Sequence, residues 1–398
     1  MIIWSEEEIL FVKALVENEN CPSWIEVARQ YNKKFKDNLT GDAVSSRYRR
    51  VKAMEESDPE TVVFKTKQIH SARRSARLDR ATLKHLLNYQ EMESSVLEKI
   101  LDLTSKIKSH KPPKPPKSYP DKFNMTLELM LSDLHYGKLI IDEEETVFNE
   151  EVARKRMREL TSVFMKELVI SQKHYNVERI IIPLLGDMIE SFEMHVLESA
   201  RGCEYGTAKQ IWACIDSLLF DVFIPIAELG IPIDVPAVTG NHDRSDTKKT
   251  FSNPGHNNWT FIIYKTLESM LLGRGYTNMN FYIPSSPYTT LEIYGKTILY
   301  EHFDNAGKNS REAIEKLMRK RSQQTGSIVH MARGGHFHDQ TMYGNGEIIV
   351  NGSLPGNDSF ADVLGYTSSP SQVLNYYLDF EGRGERSPFH KTFGIKLK

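Results

Sequence analysis

The sequence predicts an α/β fold preceded by a small N-terminal three-helix domain and a helical linker. Three observations predict it. Short amphipathic helical patterns fill residues 1 to 55. The Lys- and Pro-rich run from Lys111 to Lys117 must be extended, because proline fixes φ and lacks an N–H. From Met125 onwards, apolar β-branched runs alternate with helical periods. We therefore expect three regions, residues 1–55, 56–122 and 123–398.

The first region carries three helix-start signals. Ser5 precedes three glutamates, which is typical of an N-cap followed by an acidic first turn. A second helix is expected from about Ser23 and a third from Thr40. The third helix turns its apolar residues inward, so its other face is basic. The basic residues there are Arg47, Arg49 and Arg50.

This head resembles a Myb/SANT-type helix-turn-helix. The resemblance lies in Trp4 with the acidic turn, in Trp24, and in the helix from Thr40 to Arg50. Tyr48 stands where a third Trp is common in that family. The resemblance implies a small aromatic core and a third helix that enters the DNA major groove. Some SANT domains bind protein instead, so both partners stay open.

The middle region is basic. Residues 61 to 118 hold 13 Lys and Arg against 5 Asp and Glu, whereas residues 119 to 398 hold 29 against 36. A cluster of Arg73, Arg74, Arg77 and Arg80 suits phosphate contacts with a polyanion. A solvated helix and linker is the simpler alternative. An apolar stripe within residues 83–109 could form a short coiled coil and a homo-oligomer, or pack on the chain's own catalytic domain.

The third region has a coarse strand and helix pattern. Expected strands are Thr126 to Leu131, Arg179 to Leu185, Pro232 to Val238, Thr297 to Tyr300, Ser327 to Met331 and Glu347 to Val350. Expected helices are residues 149–174, 206–228, 257–273 and 307–322.

Polar residues of one chemical kind follow several of these strands. Loops at strand ends are where open α/β folds place their chemistry. The set contains only carboxylate, amide and imidazole side chains and no Cys, which suits divalent ions. Its members are Asp133, His135, Asp187, Asn241, His302, His336 and His338. Residues two apart in an extended segment point the same way, so Asp133 and His135 can bind one ion, and Asp187 could bridge two.

Five motifs in this region are Asp133-Leu134-His135, Gly186-Asp187, Gly240-Asn241-His242-Asp243, His302 and Gly335-His336-Phe337-His338. Together they resemble the motifs of calcineurin-like metallophosphoesterases over residues 125 to 355. The resemblance implies a four-layer αββα sandwich. It implies a first metal on Asp133, His135, Asp187 and His338, and a second on Asp187, Asn241, His302 and His336. Mn²⁺ is the favoured ion, although the ligand types also admit Fe, Zn, Ni or Mg.

The same resemblance assigns chemistry to the residues after Asn241. A metal-bound hydroxide would attack the phosphorus, and His242 would protonate the leaving oxygen as general acid. Asp243 would orient His242. Arg244 follows directly and could contact a substrate phosphate or pair with Asp246. His195 and Arg201 lie in a polar insertion that could face the substrate.

The expected function is a two-metal phosphodiesterase or nuclease that acts on nucleic acid, most simply DNA. The third region looks like the DNA-repair exonuclease branch of the family and like phosphoesterases encoded by phages. A phosphatase or small-nucleotide phosphodiesterase is the alternative enzyme, and a DNA- or protein-binding regulator without activity is the second alternative. Three scattered cysteines, no signal peptide and no apolar run near ~20 residues lead us to expect a cytoplasmic protein, in the host if phage-encoded.

Overall fold

The computed structural model describes residues 4–18, 22–55, 114–142, 145–192, 202–245, 252–356, 369–380 and 387–398. The chain divides into two compact units, Met1–Gln90 and Glu91–Lys398. We call them the head unit and the sheet unit. The predicted linker at residues 56–122 lies mostly outside the described residues, so its boundaries stay a prediction. The same holds for the coiled coil predicted within residues 83–109 and for the phosphate contacts predicted for Arg73, Arg74, Arg77 and Arg80.

The head unit contains three helices, α1 (Glu6–Val16), α2 (Trp24–Phe35) and α3 (Gly41–Glu55). All three predicted starts carry a cap. Ser5 Oγ accepts from Glu8 N, and the Glu8 carboxylate accepts in return from Ser5 N at 2.6 Å. Ser23 caps α2, and Thr40 Oγ1 accepts from Ala43 N at 3.3 Å. A small apolar core joins the helices and includes Trp4, Val12, Val27, Tyr31, Val44 and Tyr48.

The sheet unit contains the remaining described elements, which fall into two large sheets, a hairpin and several helices. Its strands are β1 (Asn124–Met130), β2 (Ile140–Asp142), β3 (Glu145–Phe148), β4 (Asn176–Ile181), β5 (Leu184–Leu185), β6 (Ile233–Val238), β7 (Met279–Tyr282), β8 (Tyr288–Ile293), β9 (Lys296–Glu301), β10 (Met331–Gly334), β11 (Thr341–Tyr343), β12 (Ile348–Val350), β13 (Ser371–Leu378) and β14 (Phe389–Lys396). Its helices are α4 (Glu150–His174), α5 (Thr207–Ser217), a π-helical segment (Leu218–Phe223), α6 (Ile224–Ala227), α7 (Trp259–Gly273) and α8 (Arg311–Thr325).

The first sheet has the order β14-β13-β1-β4-β6-β5, and β7 pairs with β6. Strands β1, β4, β6 and β7 run parallel, as do β5 and β6, while β13 is antiparallel to β1 and β14. The second sheet has the order β11-β12-β10-β9-β8, with a parallel centre of β9, β10 and β12. Parallel strands bring their carboxyl ends to one edge, so the loops after β1, β5, β6, β9 and β10 can meet there.

The two sheets pack face to face. Apolar side chains from both sheets form the core between them, among them Met130, Val238, Ile298, Met331 and Val373. Helix α8 covers the far side of the second sheet through Ile314, Leu317 and Met318. On the far side of the first sheet, α4 packs along β4, and Tyr264 of α7 donates to the carbonyl of Val238 in β6 at 2.9 Å. This helix-sheet-sheet-helix order is the predicted four-layer sandwich.

A buried ion pair crosses the inter-sheet core. The Glu128 carboxylate on β1 accepts from Arg333 Nε on β10 at 3.2 Å, and both side chains are inaccessible to solvent. Tyr300, Asn375 and Tyr377 also donate to Glu128, at 2.6 to 2.7 Å. Because the Glu128 carboxylate accepts from side chains on both sheets, this network favours one pairing of residues between the sheets.

Most predicted elements are confirmed, with differences in detail. The predicted strand from Ser327 is wrong at its start, because β10 begins only at Met331. The sequence analysis did not predict β2, β3, β7, β8, β11, β13 or β14. The helical run Thr207–Ala227 is, in the described parts of the chain, the one segment long and apolar enough to cross a membrane. It matches the predicted helix at residues 206–228, but at 21 residues it is an apolar run of the length that the sequence analysis did not expect, and 67% of its apolar window is buried inside the fold.

Candidate metal centre and active site

All five predicted motifs lie at the carboxyl ends of strands, at the shared edge of the two sheets. Their backbone is unusual, because Asp133, His135, Asp187, His336 and His338 all have φ between 48° and 76°. A left-handed residue that is not glycine costs about 1–3 kcal/mol and persists where the surroundings over-determine it. The segments are therefore turns and not the extended pieces expected from the two-residue spacing, although the paired side chains still converge.

Glycines allow the loops to approach each other. A Cβ at Gly240 would lie 2.1 Å from the Asp187 carboxylate, and a Cβ at Gly335 would lie 2.2 Å from that of Asp133. Any side chain at either position would displace a predicted ligand.

The first group of candidate ligands consists of Asp133, His135 and His338. His338 Nε2 lies 3.3 Å from Asp133 Oδ1 and 3.1 Å from His135 Nε2. The other ring nitrogen of His135, Nδ1, lies 2.7 Å from Glu190 Oε2. Nδ1–H therefore donates to Glu190, which leaves the Nε2 lone pair directed at His338 and Asp133.

The second group consists of Asp187, His302 and His336. His302 Nε2 lies 3.0 Å from Asp187 Oδ2 and 3.2 Å from Asn241 Oδ1. His302 Nδ1 donates to the Leu185 carbonyl at 2.7 Å, so its Nε2 is the nitrogen that faces the group. Asn241 thus joins the second group through an oxygen ligand.

The protonation equilibria show how strongly these buried groups interact. Burial opposes ionisation of Asp187, but the charges of His302 and His242 outweigh it, and the pKa of Asp187 falls well below its usual range. Burial likewise opposes the charge on His302, yet Asp187 raises the pKa of His302 to about 10. Burial and the charge of His302 lower the pKa of His336 to about 4. His135 also has a lowered pKa, caused mainly by burial.

These donors suit divalent cations. Two nearly inaccessible carboxylates, Asp133 and Asp187, lie among imidazole rings. The Nε2 atoms of His135 and His338 face each other at 3.1 Å. A cation would neutralise the carboxylate charge and accept the lone pair that His135 directs inward from Nε2. Asp187 lies in the second group while its charge also acts on Asp133 and on His135 of the first.

His242 stands beside the first group and is held by a residue that the sequence analysis missed. Its ring centroid lies 4.8 Å from that of His135. His242 Nδ1 donates to the Glu190 carbonyl at 3.1 Å and lies 3.6 Å from the Glu190 carboxylate. Burial opposes the charge of Glu190, but Lys138, His242 and His135 lower its pKa below the usual range. Its position three residues after Asp187, at the end of an apolar run, was the available signal.

Asp243 does not orient His242 as expected. Its carboxylate accepts backbone N–H bonds from Asp187 at 2.7 Å, Gly240 at 2.8 Å and Met188 at 2.9 Å. It therefore ties the loop after β5 to the loop after β6. Burial, followed by the charge of Asp187, raises the pKa of Asp243 to about 7. The short side chain is committed to backbone donors, so Glu190 takes the place beside His242.

The remaining predicted residues lie outside this centre or outside the described residues. Arg244 Nη2 lies 3.6 Å from Asp304 Oδ2. His195, Arg201 and Asp246 lie outside the described residues. In the head unit Arg49 is exposed and Arg47 is half-buried, while the side chain of Arg50 is outside the description.

Comparison with known proteins yields distant structural likenesses. An archaeal phosphodiesterase is 12% identical with a TM-score of 0.31, and the match covers 68% of this chain and 99% of that one. Zn²⁺-complexed Vps29 from Entamoeba histolytica is 13% identical with a TM-score of 0.29, over 68% and 99%. A predicted phosphoesterase from Streptococcus pneumoniae is 12% identical with a TM-score of 0.27, over 68% and 98%. No family model and no curated protein matches the sequence. The chemistry of the site therefore rests on the chain's own residues.

Proposed function

We propose that the sheet unit is a metal-dependent phosphoesterase with two divalent ions, Mn²⁺ most readily, and that it cleaves phosphodiester bonds of nucleic acid. One observation supports this best. Two groups of buried or half-buried candidate metal ligands meet at one sheet edge, with Asp187 acting electrostatically on both. His242 stands next to them with its Nδ1 held by Glu190.

Each residue then has a defined task. When bound, the ions would supply an activated water and a Lewis-acid clamp on the phosphate. Asp133, His135, Asp187 and His338 would hold the first ion, and Asp187, Asn241, His302 and His336 the second. The Glu190 carbonyl accepts from His242 Nδ1, so Nε2 of a protonated His242 can give its proton to the leaving oxygen. The Glu190 carboxylate also lies 3.6 Å from His242 Nδ1.

Hydrolysis of bis-p-nitrophenyl phosphate by the full chain, with added Mn²⁺, tests the enzymatic part. We expect turnover in the wild type and none in Asp187→Asn, because that substitution removes the carboxylate assigned to both ions. A folded, metal-loaded wild type that turns over neither mono- nor diesters would instead make the fold a binding platform.

The choice of nucleic acid rests on the head unit and on composition. Helix α3 exposes Arg49, and residues 61 to 118 carry the 13-to-5 excess of basic residues. A panel of single-stranded DNA, duplex DNA, RNA and cyclic dinucleotides tests it. Cleavage of polymers supports the proposal, whereas cleavage confined to cyclic dinucleotides or monoesters would favour a small-nucleotide enzyme.

A further inference from the structure

A polar cavity of about 580 Å³ adjoins the loops of the second ligand group. Its lining comes from residues after β6, from parts of residues 253–258 and 285–288, from the loop after β9 and from α8. The residues that carry its chemistry are Arg244, Asn253, Ser285, Asp304 and Lys320. Small-molecule sites typically occupy about 300–1,000 Å³, so this cavity has the size of a ligand site.

The cavity lies close to the proposed site of cleavage. Its wall includes Gly240, which immediately precedes Asn241, and Arg244, which follows His242 by two residues. It also includes Asp304, two residues after His302. The Asp304 charge raises the pKa of His302 and opposes the lowering of that of His336, so the wall lies within electrostatic reach of the second group.

The cationic groups of the cavity differ in how far they are already neutralised. The Arg321 guanidinium forms a buried ion pair with Glu301 and donates to Gln324 at 2.7 Å, so its charge is committed. Arg244 forms an ion pair with Asp304 at 3.6 Å, without a direct hydrogen bond, and its side chain is 19% exposed. Lys320 lies exposed at the rim. With Arg321 committed to Glu301, the lining holds two cationic side chains, Arg244 and Lys320, against the single carboxylate of Asp304, and this excess favours an anion.

We propose that this cavity receives the nucleotide unit that adjoins the scissile phosphate, and that Arg244 and Lys320 bind the next phosphate of that unit. The proposal rests on the proposed function and specifies its substrate. Arginine and lysine are the usual partners of phosphate oxygens. The amide of Asn253 and the hydroxyl of Ser285 add hydrogen-bonding groups of the kind that fix sugars and bases.

Calorimetric titration of the Mn²⁺-loaded full chain with thymidine 3′,5′-bisphosphate and with thymidine 5′-monophosphate tests this. The two ligands differ by one phosphate. We expect the wild type to bind the bisphosphate at least about tenfold more tightly, the size of one charge-assisted hydrogen bond. That advantage should vanish in Arg244→Gln and in Lys320→Gln. Lys316→Gln, an exposed lysine one turn earlier on α8 and outside the cavity, should keep it.

The result separates this inference from the proposed function. Equal affinity of the wild type for the two ligands, or an advantage that persists in both cavity variants, would overturn the cavity assignment even if diesters are hydrolysed. An advantage that depends on Arg244 and Lys320 without any hydrolysis would keep the cavity as a nucleotide site and overturn the phosphoesterase.

Discussion

Three histidines of the centre take their orientation from acceptors behind them. His135 Nδ1 faces the Glu190 carboxylate, His242 Nδ1 the Glu190 carbonyl, and His302 Nδ1 the Leu185 carbonyl. Each ring therefore carries its proton away from the centre and presents Nε2 to it. His242 lies outside the two groups that contain Asp133 and Asp187. It forms a third cluster of possible ligands with His135 and Glu190.

The substitution His242→Ala should separate binding of metal from chemistry. It removes the proton donor and no ligand, so the variant should keep its metal content and lose about 10²–10⁴-fold in rate. The loss should be larger for the dinucleotide TpT, whose alkoxide leaves poorly, than for bis-p-nitrophenyl phosphate. Metal analysis alongside kinetics checks this, and loss of metal from the variant would show that His242 is a ligand.

Metal affinity should depend on pH through His302. Its raised pKa of about 10 means that the metal-free centre carries a proton on His302 at neutral pH, which an entering ion must displace. Apparent affinity for Mn²⁺ should therefore increase as pH rises from 7 towards 10, by up to about tenfold per unit. His336, with a pKa of about 4, is already neutral in this range. Titrations at several pH values measure the slope, and a flat profile would contradict the coupling between His302 and Asp187.

The sequence predicted the candidate metal ligands better than the groups that hydrogen-bond to them and orient them. Asp133, Asp187 and His302 belong to a recognisable pattern of oxygen and imidazole ligands at strand ends. The Leu185 carbonyl and the N–H groups that donate to Asp243 belong to the backbone. Since every residue has a backbone, the residue types in the sequence could not predict these hydrogen bonds. Glu190 could have been found from its position after Asp187, but a single glutamate at a strand end is common without such a role.

At the scale of elements, two sets of polar interactions connect the strands and loops that carry the site. Asp243 joins the loops after β5 and β6, and the Glu128–Arg333 pair joins β1 of one sheet to β10 of the other. Both elements that carry the pair continue directly into ligand loops, at Asp133 and His336. Strand β13 escaped prediction because its buried amides Gln372 and Asn375 interrupt the apolar run, and these amides hydrogen-bond Ser132 and Glu128 across strands.

Arg333→Met should destabilise the protein strongly. The substitution leaves Glu128 buried without its counter-ion, for which the expected cost is about 3–5 kcal/mol in the free energy of unfolding. Denaturant unfolding measures it. Arg319→Met on the exposed face of α8 is the matched control and should change stability by less than about 1 kcal/mol. Similar values for the two variants would mean that the buried pair contributes little.

At the scale of the whole molecule, charge is distributed unevenly along the chain. Residues 119 to 398 hold seven more acidic than basic side chains, 36 against 29, whereas the basic residues concentrate in residues 61 to 118. A net acidic region repels a polyanion except where cations are bound and at local cationic positions such as Arg244. Affinity for nucleic acid should therefore depend on the first 118 residues.

Deletion of residues 1 to 118 should spare hydrolysis of bis-p-nitrophenyl phosphate and weaken binding to duplex DNA. The affinity of the full chain should fall with salt, with a log–log slope of about −0.9 per phosphate neutralised. Fluorescence anisotropy with labelled duplex at several salt concentrations measures both. Equal DNA affinity of the truncated and full chains would assign the head unit to a protein partner.

The most direct test of the two-metal centre is the rate of bis-p-nitrophenyl phosphate hydrolysis as Mn²⁺ is added stepwise to the metal-free full chain, with bound metal measured in each sample. The two ligand groups around Asp133 and Asp187 predict that the rate reaches its plateau at two bound ions per chain. Asp187→Asn should bind fewer ions and stay inactive at the same total concentration. A folded wild type with two bound ions and no hydrolysis, or full activity with one ion, would contradict the account.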